Sequence, residues 1–140
     1  MTTSTEIEIV DEYLRLFGER RIDEAAAYLA QDALLVFPGR AQFADLPAML
    51  EDAAKRYRSV QKHRDEFFVG TRASDGATMC VSSGRLHGTT LWGTAFEDVR
   101  YIDLFIIRDG LIHEQHVWND LAETGAAPIM VQRAAFPAGA

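Results

Sequence analysis

Near residue 64 the chain changes its hydrophobic period, and this change limits the possible folds more than any other feature. Before it, apolar residues recur at helical spacing. Residues 5–18 put Ile7, Val10, Leu14 and Phe17 on one face, Ile9, Tyr13 and Leu16 widen the stripe, and Gly18 weakens the end. "RIDEAAAYLAQD" reads as a second short helix with Ile22, Ala25, Ala26 and Leu29 on one side. "ALLVF" reads as a short buried strand stopped by Pro38–Gly39. Asp45 is placed to cap a third helix with Pro47 in its first turn and Leu46, Met49, Leu50, Ala53 and Tyr57 as its stripe. After the change, residues 64–73, 77–87, 95–108 and 111–121 read as strands. Asp75–Gly76 and Asp109–Gly110 are two-residue hairpin signals, and "GTTLWGT" is a looser connection. Helices followed by a meander of long strands make an α+β pattern. The strands are too long to pack flat on so few helices, so the sheet is expected to curl around them and leave a hollow.

The chain has 140 residues, the size of one domain, with a core over about 5–123 and a C-terminal tail over 124–140. Ile129, Met130, Val131 and Phe136 would let that tail lie across the body, or it frays. The net charge of −7 argues against a nucleic-acid partner, which calls for a basic face. The one basic cluster, "KRYRSVQKHR" at 55–64, reads as a solvated helix end rather than a binding patch. Cys80 is the single cysteine and sits in a strand-like run, so it reads as a small packed side chain. The N-terminus lacks a basic n-region and an apolar h-region, and no window is long and apolar enough to span a bilayer. A soluble cytoplasmic protein is expected.

Asp103 interrupts the apolar run "YIDLFII". An ionised Asp there is costly unless paired, wet or protonated. Alternation puts Tyr101, Phe105 and Ile107 on its face. The matching hairpin register adds His113, Gln115, Val117 and Asn119. Ile112, Glu114, His116 and Trp118 fall on the outer face, where a row of Ile, His and Trp suggests cover by a second subunit or by the tail. A β-bulge would swap these faces. His113 and His116 are three apart on a strand and point to opposite faces, so a metal site is not expected. Nor is there a G-x-S-x-G or G-x-G-x-x-G pattern.

The stretches "VDEYLRLFGERRIDEAAAYLAQDALLVFPG" and "YIDLFIIRDGLIHEQHVWNDLAE", in this order and spacing, resemble the NTF2-like superfamily, within it the SnoaL-like and ketosteroid-isomerase-like proteins. The likeness runs from about residue 7 to residue 123. It implies a cone-shaped barrel, three N-terminal helices packed in a strongly curved, mostly antiparallel sheet, with one pocket at the wide end. It also implies dimerisation through the outer sheet face, here Ile112, His116 and Trp118. By this resemblance Tyr13 and Asp103 stand where ketosteroid isomerases hold a substrate oxyanion. A carboxylic acid kept neutral to donate a hydrogen bond is the known use of that Asp. The family's catalytic bases are absent: Phe37 stands at one position and Val117 at the other. His63, His87, Glu97 and Asp98 are candidate replacements, each also readable as an ordinary exposed strand-end group.

The expectation is a cofactor-free acid–base enzyme acting on a small apolar cyclic or aromatic molecule, as an isomerase, cyclase, dehydratase or lyase. Asp103 and Tyr13 would be catalytic, with His63 or His87 in support. Phe37, Tyr57, Tyr101, Phe105, His113, Gln115, Val117 and Asn119 would bind the substrate. The alternative is a dimeric protein of the same fold that binds or supports without catalysis.

Overall fold

The structure, a computed structural model, describes residues 4–128. Helix α1, Thr5–Gly18, starts where Ser4 Oγ accepts the amide of Ile7 at 3.2 Å, with Glu6 and Glu8 in the first turn facing the positive end of the helix dipole. It buries Val10, Tyr13, Leu14 and Leu16. It ends as the chain turns at Arg20, whose φ of 62° is left-handed. Helix α2, Ile22–Ala26, has five residues and buries Ala25. The expected second helix is shorter than its sequence pattern because strand β1 already begins at Leu29, running Leu29–Phe37. A 3₁₀ turn, Pro38–Arg40, leads to strand β2, Ala41–Phe43, which no sequence signal marked. Helix α3, Leu46–Ala53, is capped by Asp45, whose side chain accepts from the amide of Ala48 at 2.9 Å.

Strands β3, Tyr57–Thr71, β4, Thr78–Thr90, β5, Ala95–Arg108, and β6, Leu111–Asn119, form the meander. The sheet order is β2-β1-β6-β5-β4-β3, antiparallel throughout except for the parallel β1–β6 pair. This is the α+β architecture expected, three helices in one curved sheet. Asp109 and Gly110 both have positive φ, 52° and 76°, and join Arg108 to Leu111 as a two-residue turn. Asp75–Gly76 instead lies within a longer loop, closed by the Thr71–Thr78 pair. No helix among the described residues is long and apolar enough to cross a membrane.

Two expectations are corrected. The basic run 55–64 is not a helix end: α3 stops at Ala53 and β3 begins at Tyr57. Ile112 is not on the outer face. The β5–β6 register passes from Ile106–Glu114 to Ile107–Ile112, so β6 carries one extra residue, His113, at a bulge. The bulge turns Ile112 inward, fully buried among Val10, Leu14, Leu35 and Phe105. Tail residues 129–140, including Ile129, Met130, Val131 and Phe136, lie outside the described residues.

Candidate functional site

Two apolar clusters fill the cone. One joins Tyr13, Leu14, Leu35, Phe105 and Ile112, with Phe17 and Phe37 packed on it. The other joins Leu86, Val99, Tyr101, Leu121 and Ala127, with Tyr57 and Val60 packed on it. Between them lies a cavity of about 560 Å³, because Leu14, Phe17 and Phe37 of the first and Tyr57, Leu86 and Leu121 of the second both line it. That volume is ordinary for a small-molecule site, as is an apolar wall with few polar groups.

Of the residues expected at the site, Phe37, Tyr57, Val117 and Asn119 line the cavity. Phe37 follows Val36, which pairs with His116, so Phe37 sits beside Val117 across the parallel β1–β6 ladder. The two positions where the family resemblance sought a base thus meet on one apolar wall. Tyr101, Phe105 and Gln115 are buried on the same sheet face but pack beneath the wall. Tyr13 donates its hydroxyl to Gln115 Oε1 at 2.6 Å and meets Phe105 edge-on at 5.8 Å. Burial, and then the nearby Asp103, push its phenol well above the usual range. Tyr101 shares a 3.0 Å hydrogen bond with Ser82, and its phenol is pushed up to about 12, chiefly by burial. His113 is half-buried at the bulge, away from the cavity wall.

His63 and His87 are exposed, each one residue off the cavity-lining Lys62 and Leu86 and so on the opposite face of its strand. His63 lies 3.1 Å from Asp65. Glu97 and Asp98 are exposed where the β4–β5 register slips between Leu86 and Gly88. None of these four is brought to the cavity.

The residue that sequence reasoning missed is Lys62. Its ammonium donates to Asp103 Oδ2, lies 4.8 Å from the centroid of the Tyr101 ring, and lines the cavity. Asp103 is fully buried, and its second oxygen, Oδ1, has no hydrogen-bond partner among the described residues. Burial holds its carboxyl above the ordinary range, opposed by Lys62. A buried acid therefore reaches the cavity through a lysine rather than directly. The available signal was alternation: Val60, Lys62 and Arg64 are spaced by two and line the cavity, although Gln61 between them also reaches it. Reading 55–64 as a helix end concealed it.

Among the described residues no group of three or more His, Cys, Asp or Glu side chains is close enough to hold a metal ion. Cys80 is buried, with its thiol pushed up to about 11, first by desolvation, so it is a packing residue.

No family model matches the sequence, and no curated protein matches it. Solved structures do match. An NTF2-like protein of unknown function from Burkholderia pseudomallei aligns with a TM-score of 0.75 at 16% identity, over 91% of this chain and 100% of that one. TerC, co-crystallised with polyporic acid, aligns with a TM-score of 0.71 at 17% identity, over 87% and 96%. A candidate SnoaL-like polyketide cyclase from Shewanella putrefaciens gives 0.68 at 10% identity, over 89% and 96%. The chain has the NTF2-like fold.

Proposed function

We propose that this chain is a cofactor-free acid–base enzyme that takes a small, largely apolar, cyclic or aromatic molecule into its cone. The observation that carries the reading is the buried Asp103 paired with a lysine at the cavity wall. In water a carboxylate and an ammonium are both ionised. Desolvation raises the proton affinity of Asp103, opposed by the Lys62 ammonium, so the Asp103 carboxylate is the acceptor toward which a proton is relayed through Lys62. As Lys62 hands a proton to Asp103 during the step, its nitrogen is freed to act as the base. It takes a proton from a carbon next to a substrate carbonyl, and the ammonium re-formed stabilises the developing enolate oxygen. Returning the proton at another position completes an isomerisation, and expelling a leaving group from the enolate completes an elimination. Tyr13, held by Gln115, is a buried neutral phenol that the nearby Asp103 raises further, and it acts behind the acid rather than at the cavity. TerC's co-crystal with polyporic acid supports a small organic molecule as guest. The outer sheet face, where Trp118 and Ile102 are about half exposed, is assigned to a second copy of the chain.

Solvent hydrogen exchange tests the chemistry without knowledge of the product. Cyclic ketones and hydroxyquinones are incubated with the protein in D2O, and deuterium at the carbon next to the carbonyl is followed by mass spectrometry. Incorporation above the buffer rate, falling roughly 100-fold or more in Lys62→Met and Asp103→Asn, is expected for one general base. A second reading, binding without turnover, draws on Phe37 and Val117 at the family's base positions. A ligand that binds the parent protein with no exchange in any variant would establish it.

A further inference from the structure

The cavity's charge runs against that of the whole chain. Net charge is −7, yet the lining carries five cations, Arg15, Arg20, Arg56, Lys62 and Arg64, against Glu19, Asp52 and Glu123. Four of the cations are engaged: Arg15 with Glu12 and Glu19, Arg56 with Asp52, Arg64 with Asp11, Lys62 with Asp103. Arg20 is different. It is exposed, so it stands at the mouth, and it has no carboxylate partner among the described residues. Its guanidinium lies 5.3 Å from the Phe17 ring centroid, and Nη1 donates to the Phe17 carbonyl at 3.1 Å. The left-handed backbone at Arg20 carries the side chain there. Among the described residues Arg56 is paired with Asp52 through Nε at 2.9 Å, and its Nη2 is buried without a hydrogen-bond acceptor. Both arginines line the same cavity as Tyr57, whose phenol burial pushes up, opposed by Arg20 and Arg56 and reinforced by Asp52.

A guanidinium without a carboxylate partner and a half-satisfied one, lining one apolar cavity together with a phenol, have the chemistry of an oxyanion receptor. We propose that the ligand is an organic anion, a ring system bearing one carboxylate or equally acidic oxygen, received at the mouth by Arg20 and Arg56. The ring body then lies inward against Phe37, Leu86 and Val117, which places its far end toward Lys62. This rests on the reading of the cavity as the substrate site and narrows its substrate class.

The test compares 2-naphthoate with its neutral isostere 2-naphthamide by titration calorimetry on the full chain. Naphthoate is expected to bind at least about tenfold more tightly at low salt, since each tenfold is one charge-assisted contact's worth of affinity. That preference is expected to fall to within about threefold in Arg20→Gln, whose exposed position leaves folding intact, and to shrink in wild type at high salt. Three results would overturn the proposal: equal binding of the amide, binding of neither probe, or a preference that survives Arg20→Gln and disappears only in Lys62→Met. Loss of deuterium exchange with the naphthoate preference intact would instead remove the catalytic reading and leave the ligand class standing.

Discussion

Asp103 and Lys62 are a pair whose members depend on each other. Removing the cation leaves a buried carboxylate unpaired, so Lys62→Met is expected to cost about 3 kcal/mol at neutral pH, the low end for a buried pair because Lys62 is 21% exposed. Urea unfolding checks this. Burial also fixes a sign. The folded chain holds the Asp103 proton more tightly than the unfolded chain does, so this residue's contribution is most favourable below the ordinary carboxylate range. That contribution is lost as pH rises through the raised folded value. The stability deficit of Asp103→Asn against wild type should therefore shrink as pH rises above the ordinary carboxylate range. A deficit that grows with pH would mean that Lys62 outweighs burial. That Asp103 sits in a dry place was legible from its apolar neighbours. That a lysine 41 residues earlier reaches it was not, because no local pattern encodes a contact across strands.

At the scale of elements, bulges and close approaches set the register. Gly84 and Gly88 on β4 face β3 so closely that a Cβ would lie 2.0 Å from the carbonyl oxygens of His63 and Ser59. Register shifts on β3 lie beside both contacts, between Arg64 and Glu66 and between Tyr57 and Ser59. Gly88→Ala should cost about 1–3 kcal/mol by overpacking, read as a lower urea midpoint, and it should also loosen the strand end that carries Val60 and Lys62. Asp45→Ala removes the α3 cap and should cost about 1 kcal/mol. The capping residue was readable from sequence because capping is local chemistry. The β6 bulge was not, since an extra residue at His113 leaves the alternation of Gln115, Val117 and Asn119 unchanged and shows only where Ile112 ends up.

For the whole molecule, the curved sheet buries its concave face and leaves Ile102 and Trp118, paired across β5 and β6, at 47% and 55% exposure. His116 stacks on Trp118 at 6.1 Å and lies 2.9 Å from Glu114, extending the surface. If a second copy covers this face, Trp118→Glu should convert a dimer to a monomer in analytical ultracentrifugation while leaving the far-UV spectrum unchanged. A wild-type monomer at high micromolar concentration would end the assignment. The cavity on the concave side should keep its ligand affinity in that variant.

Local chemistry was enough to determine the first helix, the α3 cap, the Asp109–Gly110 turn and the α+β class, because periodicity, capping and turn geometry act over a few residues. The family resemblance implied Asp103 as a pocket acid; it is fully buried and does not itself line the cavity. Tertiary structure alone decided how that acid meets the cavity. Closing the cone brings the basic stretch of β3 over β5, so Lys62 stands between Asp103 and the hollow, while Tyr13 turns to Gln115. A buried charge takes the partner that folding puts within reach, and that reach is a property of the curved sheet, not of neighbours along the chain.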